Sequence, residues 1–432
     1  MRLQLDILNI KDVQFAGRTT ISDRVLHINR EELQGLLGED KRLSRVDVEL
    51  AHPGEKCRII QTTDVIEPRT KTSGGVDFPG ALDEQGRVGQ GNTCVLRGTA
   101  IVLSEHCRAE DPPMQPGMPR HGRIIDMSGP GATLSAYGKT HNIVLIPRPA
   151  HGISVHDYRT ALKLAGLRTA VYLAKAGKGA KPDEIEVYEL PPPSKMPKGL
   201  ERLPRVAYIF QFITRQFETI PGYPILYGMN AESIVPTLLH PNEVLDGAIV
   251  TPYRTMAMDL FGIQNHSIIK ELYHRHGKDL CFAGVIIVVA HDNERENERA
   301  AIMASNLAKQ VLEADGAILT KCGGGIPEIS MALTARRCEE LGIRTAVTIT
   351  HYTADAGDAD GSVLFKMPEI DAIVSGGTPW TPITLPPVDR IIGEPAPISA
   401  GPALNGEIKT MLRWIKGAFS QIGDSRLTAV RY

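Results

Sequence analysis

The residues after Pro204 follow a pattern that few folds can accommodate. Short apolar runs, predicted as strands, alternate with amphipathic stretches, predicted as helices, and Gly, Pro or Asp bounds each predicted helix. The predicted strands are 206–212, 247–250, 284–290, 317–320, 345–350 and 372–375, and the predicted helices are 231–239, 266–276, 297–314 and 329–341. Such alternation indicates a parallel sheet with helices on its faces. The sequence therefore predicts an α/β region with a Rossmann-like, doubly wound and mostly parallel sheet.

The first 150 residues follow a different pattern, in which short alternating apolar and polar runs are separated by Gly, Pro, Asp and Thr. This pattern is typical of an antiparallel, β-rich domain. Helical spacing then begins at Ser154, a candidate N-cap, and ends at Ala176, before a Pro- and Lys-rich linker. We predict a β-rich N-terminal domain at 1–150, a helical connector and linker at 151–203, and the α/β region at 204–432, with a C-terminal helix at 405–419.

Charge and apolar patterning exclude several classes of protein. The chain has 432 residues and a formal net charge of −2, so no basic field favours nucleic acid or an anionic membrane. Its longest apolar run, 282–290, is far shorter than the roughly 20 residues of a spanning helix. The first residues lack the basic flank and cleavage site of a signal peptide, and six cysteines show no Cys-x-x-Cys spacing. These features predict a cytoplasmic protein.

Ligands of an open parallel sheet bind beyond the C-terminal ends of its strands, where loops and helix N-termini converge. The candidate site residues are those that follow the predicted strands: Tyr253, Arg254, His291, Cys322, Gly323, Gly324, Gly325, His351, Gly376 and Gly377. We expect them to lie along one edge of the sheet.

The segment KCGGGIPE, from Lys321 to Glu328, is the most informative of these. It joins the predicted strand AILT to a predicted helix, and three consecutive glycines let backbone N–H groups converge on a carboxylate or phosphate. Its spacing matches neither the dinucleotide-binding glycine motif nor the P-loop. The alternative interpretation is a tight strand-to-helix turn without a ligand.

Cys322 stands at the start of that loop, where Lys321 and the helix N-terminus are both expected to lower the thiol pKa. Cys322 and His351 are therefore the candidate catalytic residues, although a free cysteine is more often a small buried apolar group. A second hypothesis joins His291, Cys322 and His351 as ligands of one metal ion. No spacing rule supports that set, and we predict no metal site.

Two further segments contain acidic residues beside tight turns. HPNEVLDG, at 240–247, contributes Glu243 and Asp246, and DMSGPG begins at Asp126. Helix capping and turn geometry explain both segments as well as a functional role does.

Seven segments of the chain occur in an order that matches a known family. They are IKDVQF (10–15), DVIEPR (64–69), DMSGPGA (126–132), PTLLHPNEVLDGAIV (236–250), GGGIPE (323–328), DAIVSGG (371–377) and LPPVDRIIG (385–393). Together they span nearly the whole chain. In these segments the chain resembles the component B αβ-subunit precursor of the glycine/sarcosine/betaine reductases.

The resemblance implies a reductase complex. In that family the subunit works with a second component B subunit that carries a redox cysteine or selenocysteine. The complex reductively cleaves the C–N bond of glycine or an N-substituted glycine, and a selenol on a small third protein receives the carboxymethyl group. The family precursor also cuts itself at an Asn-Cys bond, which leaves a pyruvoyl group.

The chain departs from the family at that bond. The family's Asn-Cys pair aligns with Tyr253 and Arg254, and a second family cysteine aligns with Met258. Self-cleavage needs a hydroxyl or thiol on Cβ for the acyl shift and β-elimination, and neither aligned residue has one. We therefore predict no pyruvoyl group and no other cofactor.

These inferences lead to one preferred hypothesis and two rivals. We predict a subunit of a hetero-oligomeric reductase-like enzyme that acts on a small carboxylated amine, with Arg254 and Tyr253 among the groups that bind the substrate. The other predicted substrate-binding residues are His291, Gly323, Gly324, Gly325, Gly376 and Gly377. The first rival is a scaffold or binding subunit without catalysis, and the second is a metal-assisted lyase that uses His291, Cys322 and His351.

Overall fold

The computed structural model of the chain describes residues 1–111, 118–192, 195, 199–215, 220, 222–251, 258–350, 367–397, 403–423 and 428–430. Within these ranges the chain is a mixed α/β protein, which confirms the predicted class at that level. None of the helices in the described ranges is long and apolar enough to cross a membrane.

The N-terminal part is rich in short strands, as predicted. Its elements are β1 (Arg2–Asn9), β2 (Asp12–Phe15), β3 (Thr20–Ser22), β4 (Val25–Ile28), α1 (Arg30–Leu37), β5 (Leu43–Ala51), β6 (Cys57–Ile59), β7 (Thr62–Ile66), β8 (Arg69–Lys71), β9 (Gly91–Arg97), β10 (Thr99–Ser104), β11 (Ile125–Asp126), α2 (Gly129–Leu134) and β12 (His141–Pro149). After them come α3 (Val155–Lys175) and β13 (Glu184–Glu189).

These strands form mixed sheets, so the predicted antiparallel pairing is confirmed only in part. One sheet has the order β13-β1-β9-β8 and another has the order β5-β12-β10-β7. Within them, β1 runs parallel to β9 and β10 runs parallel to β12. Apolar alternation shows which face of a strand is buried, but it does not show which strand pairs with which or in what direction.

The predicted connector helix is confirmed as α3. Ser154 is its N-cap, since the hydroxyl accepts a hydrogen bond from the amide of Asp157 at 3.0 Å. The helix packs against β8 and β10, and it buries residues on several sides of its circumference. It therefore lies in the interior between the two larger N-terminal sheets.

The α/β region follows with longer strands. Its elements are β14 (Arg205–Thr214), β15 (Thr237–Leu239), α4 (Pro241–Leu245), α5 (Leu260–Gln264), α6 (Ser267–Arg275), β16 (Cys281–Ala290), α7 (Glu294–Asn306), β17 (Gly316–Lys321), α8 (Ile326–Glu340), β18 (Arg344–Ile349), β19 (Ala372–Ser375), β20 (Pro382–Leu385), β21 (Arg390–Ile392), β22 (Ile408–Met411) and β23 (Thr428–Val430).

Seven of these strands form one sheet in the order β15-β16-β14-β17-β18-β19-β23. The five central strands are parallel, and the two edge strands run antiparallel to their neighbours. After β14, the next parallel strand, β16, is added on one side of β14. The later strands β17, β18 and β19 are added on its other side. The strand order therefore reverses between β14 and β17, whose C-terminal ends border the crevice where open sheets bind ligands.

Helices cover the two faces of this sheet. Alanines of α7 and α8, including Ala304 and Ala335, pack with Ile209 and Ile286 on one face. Aromatic side chains, including Phe210, pack on the other face with residues of α5 and α6. Since both faces are buried, the strands read as continuous apolar runs in the sequence.

Two predicted elements near the middle of the chain are wrong. The segment 231–239 is not a helix, because it consists of turns followed by β15. The segment 247–250 does not form a strand, although Ile249 makes an isolated bridge to Leu226. Short apolar runs of this length fit a strand, a helix or a buried loop equally well.

The predicted C-terminal helix at 405–419 is also wrong. This segment contains β22, which pairs with β20, and a 3-10 turn at Leu412–Trp414. Gly417 has a φ of +78°, and a Cβ at this position would lie 2.6 Å from the Tyr137 ring. The backbone therefore turns where an α-helix would have to continue.

Contacts cross both of the predicted domain boundaries. β21 pairs with β6 in a parallel arrangement, so a C-terminal strand completes an N-terminal sheet. Asp246 accepts a hydrogen bond from Lys71 at 2.7 Å. The division at 150 and 203 stays a prediction, and the two large parts are packed together.

Candidate active site at the sheet edge

The glycine-rich loop lies at the reversal point of the large sheet. Cys322 and Gly323 follow β17, and a Cβ on Gly323 would lie 3.8 Å from the side chain of Thr214 at the end of β14. Gly323 and Gly325 have φ values of +98° and +76°, which only glycine adopts readily. Gly325 then caps α8, as the sequence predicted for a strand-to-helix loop.

One amide of this loop is already bonded within the protein. The N–H of Gly323 donates to Oε1 of Gln421 at 2.6 Å, and Nε2 of Gln421 donates to the carbonyl of Gly323 at 3.0 Å. The same carbonyl accepts a bond from Nζ of Lys321 at 2.7 Å. The first glycine is thus held from two sides, and Gly324 and Gly325 follow it at the start of the helix.

The second pair of predicted glycines lies at the end of β19. The Gly376 amide donates to the carbonyl of Ile349 at 2.8 Å, and the Gly377 amide donates to the hydroxyl of Ser375 at 3.1 Å. A Cβ on Gly376 would lie 3.3 Å from the backbone oxygen of Ser420. The segment around Ser420 therefore passes close to this glycine, next to Gln421 on the other loop.

Cys322 does not have the environment that the sequence predicted. Its side chain is buried, at 4% exposure, and burial raises the pKa of the thiol to about 12, although Lys321 and Arg123 both act to lower it. The expected lowering of the pKa is therefore wrong. Loss of hydration disfavours the thiolate more than nearby positive charge favours it. A catalytic role of Cys322 stays a prediction.

His291 follows β16 and is held by the first turn of α7. Its amide donates to Oδ1 of Asn297, and Nδ2 of Asn297 donates to its carbonyl, each at 2.8 Å. Burial lowers the pKa of His291, whose Nδ1 lies 3.2 Å from a carboxylate oxygen of Glu296. His291 thus lies at the predicted strand end. His351, Tyr253 and Arg254 lie outside the described residues.

A group of buried charges includes Asp259, which follows residues 252–257 closely in the sequence. The residues on either side of 252–257 are both buried, Thr251 at 2% exposure and Met258 at 3%. Asp259, the next residue, forms a buried ion pair with Lys416. It also accepts a hydrogen bond from the hydroxyl of Tyr137 at 2.8 Å.

A second buried ion pair lies against the first. Asp64 of β7 pairs with Lys163 of α3, and it accepts a hydrogen bond from the amide of Leu260 at 3.0 Å. Nζ of Lys416 donates to the carbonyl of Thr63 at 2.9 Å. Adjacent residues at 63–64 and 259–260 therefore connect the two pairs.

Arg123 links these ion pairs to the glycine-rich loop. Burial lowers the pKa of Lys416, and the charge of Arg123 lowers it further. The same guanidinium acts on the Cys322 thiol. We call Asp64, Arg123, Lys163, Asp259 and Lys416 the polar centre. Side chains from the β-rich part, α3, the start of α5 and the C-terminal segment form it together.

The sequence analysis missed the polar centre. Lys163 and Lys416 interrupt apolar stretches, ALKLAG and RWIKGAF, and Asp64 opens the DVIEPR motif. A charge within an apolar run is the available signal, because a charged side chain is seldom buried without a partner. The partners are far away in the sequence, so no local spacing identifies them.

The acidic residues of the segments HPNEVLDG and DMSGPG form hydrogen bonds and ion pairs within the protein, as expected if their role is structural. Glu243 completes a capping box with His240 at the start of α4. Asp246 accepts hydrogen bonds from Lys71, Thr93 and the amide of Gly89 at 2.7–2.8 Å.

Asp126 of the DMSGPG segment is fully buried. It forms a two-pronged ion pair with Arg58, at 2.7 and 3.0 Å.

Comparisons with known proteins give one consistent result. Residues 1–415 match the family model of glycine/sarcosine/betaine reductase component B subunits. The chain is 35% identical to the glycine reductase complex component B subunits alpha and beta of Acetoanaerobium sticklandii, over all of both chains. It is 33% identical to the sarcosine reductase complex component B subunit alpha of Peptoclostridium acidaminophilum, over 98% of this chain and 94% of that protein. It is 31% identical to the betaine reductase complex component B subunit alpha of the same organism, over 91% and 88%.

Proposed function

Because the chain belongs to the family of glycine/sarcosine/betaine reductase component B subunits, we propose that it is an oxidoreductase subunit that acts on a small carboxylated amine. The observation that supports a catalytic site, beyond family membership, is the polar centre. Its Asp259 follows closely, in the sequence, residues 252–257, the segment that aligns with the family's cleavage site. The complex would contain a second component B-like subunit with a redox cysteine or selenocysteine.

The substrate carboxylate binds, in this proposal, at the crevice between β14 and β17 of the Rossmann-like sheet. Gly324 and Gly325 precede α8, a helix of 15 residues whose N-terminal end attracts an anion. Lys321 is buried beneath the loop and adds positive charge. Gln421 occupies the Gly323 amide, so the carboxylate contacts the later amides of the loop together with Arg254.

The chemical step that we propose is a displacement at carbon. A selenolate or thiolate attacks the methylene carbon between the carboxylate and the amine, a new C–Se or C–S bond forms, and the C–N bond breaks. The nitrogen leaves with the electron pair of that bond. This step balances without an added oxidant or reductant. Any later reduction, of the thioether or selenoether that the step forms, is carried out by the partner proteins of the complex.

We propose that this chain performs its role without a pyruvoyl group. Tyr253 and Arg254 lack the Cβ hydroxyl or thiol that backbone cleavage needs. An electrophilic carbonyl captures a primary or secondary amine, but it forms no Schiff base with a tertiary or quaternary one. A betaine-like or other fully substituted amine is already a good leaving group. The proposed substrate is therefore a glycine whose nitrogen is tertiary or quaternary, rather than free glycine.

Intact-mass measurement tests the proposed absence of cleavage. We expect a single species at the mass of the full chain, 47.1 kDa. Two fragments that meet near residue 253 would overturn this part of the proposal, and the family's pyruvoyl chemistry would then apply.

Calorimetry with the reconstituted pair of subunits tests the substrate. We expect betaine, whose nitrogen is quaternary, to bind more tightly than glycine, and Arg254→Met to weaken binding at least about tenfold through loss of a charge-assisted contact. Arg344→Met is the matched control, because its side chain is 86% exposed and it begins β18, at the opposite end of the parallel strands from the loop. Equal binding by both variants would contradict the assignment of Arg254.

Turnover by the same pair separates the remaining hypotheses. Loss of activity in Cys322→Ser supports an auxiliary thiol, and unchanged turnover removes Cys322 from the proposal. A pair that assembles and binds substrate without turnover is a scaffold. Activity that chelators abolish and zinc restores, together with loss in His291→Ala, favours the metal-assisted lyase.

A further inference from the structure

Three side chains of the N-terminal part converge at a place that the proposed function does not use. Asp12 begins β2, His52 follows β5, and His141 begins β12. β5 and β12 are antiparallel neighbours, with Ala51 opposite Asn142, so the adjoining residues His52 and His141 lie side by side. We call Asp12, His52 and His141 the histidine cluster.

The distances within the histidine cluster are those of a metal site. The Nδ1 atoms of His52 and His141 are 3.0 Å apart, and Oδ1 of Asp12 lies 3.5 Å from the first and 3.8 Å from the second. The point equidistant from these three atoms is about 2.0 Å from each, which matches the usual Zn–N and Zn–O lengths of about 2.0–2.2 Å. The three donors therefore already have the separations that one small divalent cation requires.

Without a cation, the three atoms cannot all form hydrogen bonds with one another. Two neutral imidazoles that meet through Nδ1 form one N–H···N bond, and the Asp12 oxygen stays beyond normal hydrogen-bond length from both rings. If both rings carried a second proton, two positive charges would face each other across 3.0 Å. A dication accepts a lone pair from all three atoms at once.

Neighbouring groups fix the orientation of the donors. Nε2 of Gln14 donates to Oδ2 of Asp12 at 2.7 Å, and the amide of Val13 donates to Oδ1 at 2.8 Å. The backbone of Lys11 also interacts favourably with the His141 ring. Contacts of this kind orient metal ligands and strengthen their binding. The donors are thus held in place before an ion arrives.

We propose that the histidine cluster binds one divalent transition-metal ion, with zinc as the favoured ion. Two imidazole nitrogens and a carboxylate suit zinc and its neighbours, whereas Mg²⁺ and Ca²⁺ prefer oxygen donors. The side chains of Asp12, His52 and His141 are 36%, 38% and 17% exposed, so an ion reaches them from solvent. Three protein ligands leave a fourth position for water or a small anion.

Metal titration of the full chain tests this site. The protein is stripped with a chelator, kept reduced, and titrated with zinc by calorimetry and with cobalt by visible absorption. We expect one site per chain, with affinity reduced about 100-fold in His52→Ala and Asp12→Asn and about tenfold in Gln14→Leu. His274→Ala is the matched control, because that histidine also lies beside a carboxylate, Glu271 at 3.7 Å, but belongs to no group of three such ligands among the described residues.

Two results would overturn the proposal. The first is the absence of zinc binding by the wild-type chain, and the second is equal affinity in His52→Ala and the His274→Ala control. His141 is the least exposed donor, so His141→Ala is checked for folding by circular dichroism. The exposed positions Asp12 and His52 keep the test decisive if that variant unfolds.

Discussion

The polar centre and the histidine cluster both gather charged and titratable groups, but they differ in access to water. Asp64, Lys163, Asp259 and Lys416 are all buried and are bonded in pairs within the protein. Asp12 and His52 are more than one-third exposed, and their donor atoms converge on a common point. The first arrangement resists change and excludes solvent, whereas the second is available to an ion from solution.

This difference shows that both the burial of charged groups and the convergence of their donor atoms determine what a site can bind. Burial raises the cost of leaving any charge in the polar centre without its partner. Partial exposure keeps that cost low in the histidine cluster, where the geometry of the donors determines what binds. A ligand of the polar centre must therefore fit its fixed charges, while the histidine cluster selects a ligand by coordination.

The largest expected effect is on stability when the polar centre loses one charge. Lys416→Met leaves the buried Asp259 carboxylate without its cation, and we expect the free energy of unfolding to fall by about 3–5 kcal/mol. His52→Ala in the histidine cluster is the comparison variant, with an expected change below about 1 kcal/mol. Denaturant titration in the presence of a chelator measures both. Equal losses would show that burial does not distinguish the two groups.

Cysteine labelling tests the effect of burial at the sheet edge, where Cys322 lies. Since burial raises the pKa of Cys322 to about 12 from an ordinary value of 9, the thiolate fraction near pH 8 is about 1,000-fold lower than in the unfolded chain. We expect alkylation of native Cys322 to be slower by at least that factor, as measured by peptide mass spectrometry. Rapid labelling of the native protein would contradict a buried, protonated thiol.

The third prediction concerns pH. His266 is fully buried beside Tyr208, and burial lowers its pKa to about 3 from 6.5. Between about pH 3 and pH 6.5 the unfolded chain therefore binds a proton that the folded chain does not, so stability falls as the pH falls through this window.

Replacing His266 with Gln measures that contribution. We expect the variant to reduce the pH dependence by up to about 1.4 kcal/mol per pH unit in the window. Unfolding experiments at pH 7–8, where the ring is neutral in both states, give the cost of lost packing separately. An unchanged slope below pH 6.5 would show that burial does not govern this histidine.

The smallest expected effect concerns the amide side chain that holds the glycine-rich loop. Gln421→Leu removes two hydrogen bonds to Gly323, and we expect a loss of about 1–2 kcal/mol because a loop amide becomes unsatisfied. Gln14→Leu also removes an amide contact, to Asp12, but at an exposed position. Its expected stability change is below about 0.5 kcal/mol. A larger loss in Gln14→Leu would reverse the comparison.

Local patterns in the sequence predicted the elements that depend on local physics. The strands near 206–212, 284–290 and 372–375 and the helices near 266–276 and 329–341 are present in the structure. Ser154 caps α3, and three glycines join β17 to α8. The failures are 231–239, 247–250 and 405–419, where contacts with distant parts of the chain decide the conformation.

The candidate site was predictable in position but not in its electrostatics. A strand followed by glycines and a helix located Cys322 and Gly323 correctly at the sheet edge. The direction of the Cys322 pKa shift was wrong, because nearby positive charge is visible in the sequence and the extent of burial is not.

The sequence alone determined the family, the α/β class and the glycine-rich edge of the sheet, because collinear motifs and hydrophobic periods are properties of neighbouring residues. Tertiary structure decided the partners of buried charges and the convergence of the histidine cluster. Asp64 meets Lys163, and Asp12 meets His141, only after the chain folds. Such contacts depend on the path of the chain in space, and spacing along the sequence does not encode that path.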